Sequence, residues 1–565
     1  DQVKVYRGGF GSEYGGRVAG VIDISSEHTI PPKVKADVGI NFTHADASTT
    51  IPLGNKSALT LSARRAYTDL LETPTYQKLS RRVFQKGKIN EQQALIEDGD
   101  DELDINLNFV FNDLNAKWLF QPNEKNKISV STFGIFDQLE FTSISTENDL
   151  TELDHLNLDN VGYSAQWQRP WGEQWTSNMR VAYTKFESDY EFSLGILDTI
   201  GAETELERLQ RNTVEDLSFQ WNNNWQLSKN VKLNFGYQLA ALKVKTIFQW
   251  GNDEEQGIIN GQVKIHTPYA TLSPNFGNQI KMDLGLRYSI DQVSKISTYE
   301  PRFSLFYLPS KNWQFKLTSG IYQQFISQVL ELNDLGFNEQ IWVLPSDDEE
   351  FPIVKNRSIA FGVHYHLPNF QIEVEGYRKN LRDLSLASPA FLNSTTNAGD
   401  DPFETGDGKV LGVDVLLKKR WSKYQTWLSY SWNSIQYEFE AISSAQTFSA
   451  PHERPHSLTS VHMLKYKNWQ FSSSWRFASG KVYTEAVGVD EDEIEPFYPD
   501  GQINNSRLPT YHRLDASILY KIQPEKKNTE GMIGMSFLNI YNRENLLSRQ
   551  YTIGEDEDTG AFELI

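Results

Sequence analysis

The chain has no cysteine among its 565 residues, which excludes disulfides, thiolate metal sites and cysteine nucleophiles together. Long apolar runs are missing too. The cleanest, such as Ile341 to Leu344, cover a handful of residues, whereas a membrane helix needs about 20, so a helical membrane bundle is excluded. Basic residues are in deficit, with 54 Lys+Arg against 74 Asp+Glu and a net charge of −20. That balance sets nucleic acid aside, because binding a phosphate backbone requires clustered cations that release counterions. Residue 1 is Asp1 rather than Met, and no basic segment followed by an apolar one opens the chain, so the sequence reads as a processed or partial product.

Aromatics, by contrast, are plentiful: 32 Phe, 25 Tyr and 14 Trp in a chain that is only 39% hydrophobic. Intrinsic disorder depletes such residues, so this chain folds. Its main local signal is strict alternation, as in Met282, Leu284, Leu286, Tyr288 and Ile290 set against Lys281, Asp283, Gly285, Arg287 and Ser289. Similar ladders run through Val231 to Leu239, Phe370 to Val374, Leu411 to Leu417 and His512 to Ile522. Helical periodicity is confined to Tyr67 to Gln85, read as a short loop helix with Pro74 as a break. Counting runs between about 33 and 541 predicts 21 strands, an odd number that suggests one more in the intact protein.

Ten short polar turns join the strands in pairs, for example Pro52 to Lys56, Pro170 to Glu173 and Tyr466 to Asn468. Longer connections alternate with them, among them Ala66 to Asn108, Glu187 to Leu209, Ile326 to Lys355, Asp383 to Gly408 and Gly480 to Thr510. Acids crowd into the long connections, at Glu97 to Asp104, Asp253 to Glu255, Asp347 to Glu350, Asp490 to Glu495 and Glu555 to Asp558. The short turns carry lysines, and aromatics flank them: two identical KNWQF segments (Lys311 to Phe315, Lys467 to Phe471), Trp171 with Trp175, and Trp221 with Trp225. Short turns at one membrane face, long loops at the other and an aromatic girdle are the features of an outer-membrane-type barrel. A soluble sandwich also alternates, and a propeller also repeats antiparallel strands, but its blades have near-constant length. The predicted fold is therefore all-β: a transmembrane antiparallel β-barrel.

Specific segments carry a resemblance beyond this pattern. The stretch from Val5 to Ile24, VYRGGFGSEYGGRVAGVIDI, resembles the end of the plug domain of TonB-dependent outer-membrane transporters, where it passes into the barrel. Eight further segments are similar to that family's barrel, in its order: Ser62 to Leu71, Pro301 to Tyr307, Ser319 to Phe325, Glu373 to Leu384, Gly408 to Arg420, Ser479 to Thr484, Arg507 to Ile518 and Phe537 to Asn545. The SusC-like branch is the nearest in pattern. The resemblance implies a 22-stranded barrel with a plug in its lumen, energised uptake of a bulky scarce solute (iron chelate, glycan, peptide or vitamin) and a place in the bacterial outer membrane. It divides the chain into a C-terminal plug remnant and junction at 1–30 and a barrel at 31–565, with a plug expected before Asp1 and about one strand, roughly 10 residues, past Ile565. The junction residues are Gly8, Gly9, Tyr14, Gly15, Gly16 and Arg17. Implied partners are TonB, through a segment outside this chain, a surface lipoprotein lid, and lipid or lipopolysaccharide around the wall.

Other chemistry is sparse. His364 with His366, and His452 with His456, are spaced to share a metal, and the acidic loops could offer oxygen ligands to Ca²⁺, although none has EF-hand spacing. No GxSxG, Walker or HExxH motif occurs, so no enzymatic activity, cofactor or metal is assigned. Arg287, Asp283, Glu373, Glu375, Asp414 and Arg513 are placed on the lumen face by alternation. A passive porin and a structural scaffold in a surface or secretion assembly remain as rival functions.

Overall fold

The structure, a computed structural model, describes residues 2–26, 29–80, 103–145, 150–197, 203–250, 257–332, 338–345, 351–387, 403–440, 446–490, 495–497, 502–522, 529–549, 551, 553–555 and 562–564. One antiparallel ladder runs in chain order through 21 long strands, from Lys35–Ile40 to Gly531–Phe537. These are the strands the alternation marked, one for one. A twenty-second member, Thr447–Ser449, joins the upper part of Tyr424–Phe439. The sheet wraps into a barrel whose seam lies between the first and last long strands, and no register pairs those two among the described residues.

All ten short turns fall between adjacent strands, and the aromatics beside them form a ring-on-ring girdle. Trp171 lies 6.0 Å from Trp175, which lies 6.2 Å from Trp225. Both KNWQF segments build the same unit: Trp313 packs on Tyr365 at 4.6 Å, Trp469 on Tyr520 at 4.7 Å, and the carbonyls of Asn312 and Asn468 each accept an amide hydrogen from the next strand at 2.8 Å. Amphipathic rings suit the headgroup boundary, so this girdle fixes one membrane edge.

The opposite edge is marked by an inversion of the alternation. On Trp175–Leu197 the outward residues are first apolar, with Val181 48% exposed, and then become Lys185, Glu187 and Asp189. Beyond that point the apolar residues turn inward, and Tyr190 is buried. The same change occurs on Asn126–Ser145, where Val130 and Phe136 face out, while farther along Leu139 and Phe141 are buried inside and Gln138 and Glu140 face out. Seven consecutive strands, from Leu103–Asn123 to Gly257–Phe276, are 20 to 26 residues long. A bilayer needs about 9–11. They therefore rise well past the membrane as a tall wall, and the predicted connection Glu187 to Leu209 is a continuing hairpin, paired as far as Leu197 and Glu203.

Ile280–Asp291, Ser297–Tyr307 and Trp313–Gln324 have only 12, 11 and 12 residues and keep one phase throughout, so here the wall is low. Folded loops supply what the wall lacks. The hairpin Ser327–Leu332 with Asn338–Val343 turns into the mouth, where Phe325, Leu344 and Ile353 pack on the inward Val244, Val263 and Ile265. Val329, Ile341 and Val343 form a second cluster with Phe351 and Phe403. Each such side chain removed from water contributes about 1.5–3 kcal/mol.

The loop helix is Pro74–Ser80, so Pro74 starts it rather than breaking it, with Thr73 as its cap. Its Tyr76 hydroxyl donates to Leu107 O and accepts from Phe109 N, both at 2.9 Å. Those backbone groups lie above the top of Ser57–Ala66, where the neighbouring strand has ended, so the helix covers a bare ladder edge.

Candidate functional site

Inside the barrel, Gln2–Tyr6 pairs with Val21–Ser25, and the loop between them, 7–20, lies against the inner wall. Two wall arginines hold it by main-chain carbonyls. Arg302 donates to Gly11 O and Tyr14 O, each at 2.6 Å, and Arg287 donates to Ser12 O. Glu300, 1% exposed, lies between them, 2.7 Å from Arg302 and 3.5 Å from Arg287. A buried cation needs a counter-charge and satisfied hydrogens, and this triad supplies both. Beside it, Phe10 packs on Tyr322 with ring centroids 4.6 Å apart, and the Arg302 guanidinium sits 4.8 Å from both rings.

The contacts continue round the loop. Gln238 and Gln220 donate to Glu13 O at 2.6 and 3.1 Å, Asn356 donates to Val18 O at 2.6 Å, and Lys379 donates to Ala19 O at 2.9 Å. Arg7 reaches Asp414 at 2.5 Å. Tyr14 donates to Asp23 at 2.8 Å, and burial, aided by that bond, raises its phenol above the usual range. Most partners on the loop side are backbone atoms, so the wall reads the loop's path more than its side chains.

Of the predicted junction residues, Gly9 has φ +62° and a Cβ there would strike the Thr318 side chain; at Gly15 a Cβ would fall on the Arg287 guanidinium. Both positions therefore require glycine. Tyr14 is a docking residue through its carbonyl. Gly16 takes a positive φ with open space around it, Arg17 bonds back to Gly16 O, and Gly8 has neither crowding nor positive φ, so those three are not brought into the clamp.

Alternation had placed Arg287, Asp283, Glu373, Glu375, Asp414 and Arg513 on the lumen face, and all six lie there: Asp283 meets Ser273, Glu373 meets His364, Glu375 meets Lys316, and Arg513 meets Asp515. Glu300, Arg302 and Tyr322 were missed as a unit. The available signal was an acid and a base two residues apart on one strand face that is otherwise uncharged. His452 and His456 turn to different partners: His452 packs on Tyr437, while His456 Nδ1 meets the Tyr430 hydroxyl at 2.9 Å. The acidic runs lie outside the described residues except at their margins.

This arrangement can hold and release a peptide segment; it makes and breaks no covalent bond. No curated protein matches the sequence. Among solved structures, the fold is similar to the outer membrane transporter YddB of Escherichia coli, at TM-score 0.65 and 10% identity over 100% of this chain and 82% of that one. It is also similar to the FrpB iron transporter of Neisseria meningitidis, at 0.63 and 12% over 96% and 83%, and to the RagAB peptide importer in its closed-closed state, at 0.53 and 10% over 88% and 72%. The model of the TonB dependent receptor-like beta-barrel family matches residues 90–542, so this chain belongs to that family of outer-membrane receptors.

Proposed function

We propose that this chain takes up a bulky scarce solute across the outer membrane, driven by TonB. In this reading, residues 1–30 are the end of a plug and 31–565 the barrel around it, in the SusC-like branch that the quoted segments resemble. The observation that carries the reading is the clamp itself: a glycine-rich segment is held across the lumen wall by reversible bonds to its backbone. A lumen-filling element that must move needs attachments that are numerous, specific in geometry and individually weak. The similar iron transporter and peptide importer support uptake of large solutes, and the inward-folded hairpin Ser327–Val343 suits a mouth that closes over cargo. The long loops are also where a lipoprotein lid would seat.

The test is a deletion strain grown on single scarce sources of iron chelate, glycan, peptide or vitamin, with and without functional TonB, beside bilayer recordings of the full-length protein. Solute-specific growth loss that removal of TonB reproduces, with a closed channel, is expected. Steady conductance of the intact protein would establish a porin. Copurifying partners with no solute phenotype would establish a scaffold.

A further inference from the structure

Where the N-terminal segment docks, like charges on the lumen face are answered. Glu375 and Asp414 stand directly opposite each other on adjacent strands. Such a pair repels, but Glu375 meets Lys316 at 3.4 Å, and Asp414 meets Arg7 of the docked loop at 2.5 Å. Two other directly opposed pairs on the inner wall, Arg64 with Asp113 and Arg287 with Glu300, are of opposite sign from the start.

Farther round the lumen, on Trp469–Ala478 and Tyr511–Ile522, a like-charged pair of the other sign is left half answered. Arg476 and Arg513 stand directly opposite each other. Both point inward, because Phe471 and Ile518, each an odd number of residues away, face out with 39% and 37% exposure. Side chains so opposed start about 4.5–5.5 Å apart, so the two guanidiniums lie within reach of one small group. One carboxylate serves both. Asp515 lies 2.7 Å from Arg513 Nε and also accepts the Asn539 amide hydrogen at 2.8 Å. Arg476 is exposed and has neither an ion pair nor a hydrogen bond among the described residues.

The surroundings of the pair are small. Level with Arg476 on the next two strands come Thr459 and Ser429, and on its own strand the inward neighbours are Ala478 above and Ser474 below. The described bonds of residues 2–26 to the wall run from Gln220 round to Asp414, with one to Lys117, and none reaches these strands. The clamp wall holds a fixed segment with long side chains aimed at particular carbonyls and with glycines cut to fit them. This wall instead offers short side chains and an excess cation, which suits a group that arrives and leaves.

We infer that Arg476 and Arg513 form a binding site for an oxyanion, a carboxylate or phosphate group of the solute, gripped by the paired donors of two guanidiniums as the solute passes down the lumen. The source of the anion rests on the uptake reading, whereas the fork itself does not. The site narrows the solute to one that bears at least one such group.

The test is arginine-selective labelling of the full-length protein in detergent with phenylglyoxal, mapped by peptide mass spectrometry at constant ionic strength with citrate, inorganic phosphate or uncharged maltose present. Citrate and phosphate at saturation are expected to slow modification of Arg476 and Arg513 together by at least about tenfold. Maltose should leave both rates unchanged, and the exposed Arg549 should react alike throughout. R476Q should remove the protection at Arg513. Rates unchanged by either anion, or slowed equally by maltose, would overturn the site in the unaltered protein even if the variant failed to fold. Arginines already unreactive before any anion is added would give the fork to an acidic residue of a lumen-filling segment and overturn its assignment to solute. Protection by the anions in a protein whose solute-specific growth does not depend on TonB would keep the fork and refute energised uptake, so the two readings fail separately.

Discussion

The tall wall and the low wall solve one problem in two ways. Both must leave the membrane and close the mouth above it. The tall wall does so with its own ladder: hairpins such as Trp175–Leu197 with Glu203–Ser228 keep pairing above the bilayer, and the apolar face simply moves inward. The low wall stops at the boundary and relies on the hairpin Ser327–Leu332 with Asn338–Val343 that folds over it; farther round, the similarly short strands His456–Tyr466 and Trp469–Ala478 have the segment around Glu453 above them. The low wall also carries the charged hydrogen-bonding half of the clamp, Arg287, Glu300 and Arg302, while the tall wall's hydrogen bonds to the same loop come from two neutral amides, Gln220 and Gln238. The tall wall is thus a continuous structural face, and the low wall holds the parts suited to rearrangement.

The largest expected effect breaks the clamp on its charged side. Glu300→Ala leaves two buried arginines without a counter-charge and should cost about 3–5 kcal/mol of stability, read as a fall in the urea midpoint of the folded barrel. Gln220→Ala, which removes one neutral bond from the tall side, should cost about 1 kcal/mol. Equal losses would erase the distinction between the two sides of the clamp.

The phase inversion is tested next, within a single strand. Leu139→Ala, above the inversion, should cost about 2–4 kcal/mol, because its side chain is buried with Phe141 and Leu107. Val130→Ala, below the inversion and 44% exposed toward lipid or detergent, should cost less than about 1 kcal/mol. A large loss at Val130 with none at Leu139 would mean that the inside and outside are misassigned.

The smallest effect distinguishes the two ways of closing the mouth. Burial would raise the Glu453 carboxyl, but the Ile435 amide, at 2.8 Å, and Arg507 hold it below its usual value; burial alone lowers the neighbouring His452. Both groups bind fewer protons folded than unfolded, so their stabilisation is complete above about pH 6.5 and declines as pH falls, first through His452 and then, below about 4.3, through Glu453. Limited proteolysis between pH 7 and 4 should therefore open the folded loops near 450–455 and 502–508 before the tall hairpins. Simultaneous cleavage of both would show that the loops share the ladder's stability.

Much of this was legible in sequence. A strand with one face in lipid and one in a watery lumen must alternate, and every long strand was found because the lipid face tolerates little else. The tall hairpins were cut short for a definite reason. At Lys185 the apolar residues pass from odd to even positions, so a ladder tracked in one phase ends there although the strand continues to Leu197. Arg287 could be placed inside by phase alone. Its partnership with Glu300 and Arg302 could not, because it depends on which strand lies alongside and on backbone carbonyls, which sequence does not distinguish. Gly9 and Gly15 were recognisable as positions of close approach, but what approaches them comes from strands some 300 residues away.

The pairing of Gln2 with Ser25 has a mechanical consequence. The two ends of the N-terminal hairpin lie side by side, so tension applied at Gln2 against a fixed Ser25 loads one rung at a time, as in opening a zipper, rather than shearing all five together. Each rung yields at low force before the next is strained. Only then does the pull reach the arginine-held loop, whose carbonyl bonds are strung along the chain and would also fail one after another. A pull on Gln2 would therefore meet bonds that open in series rather than together, and the same register would guide the hairpin back once the tension ends.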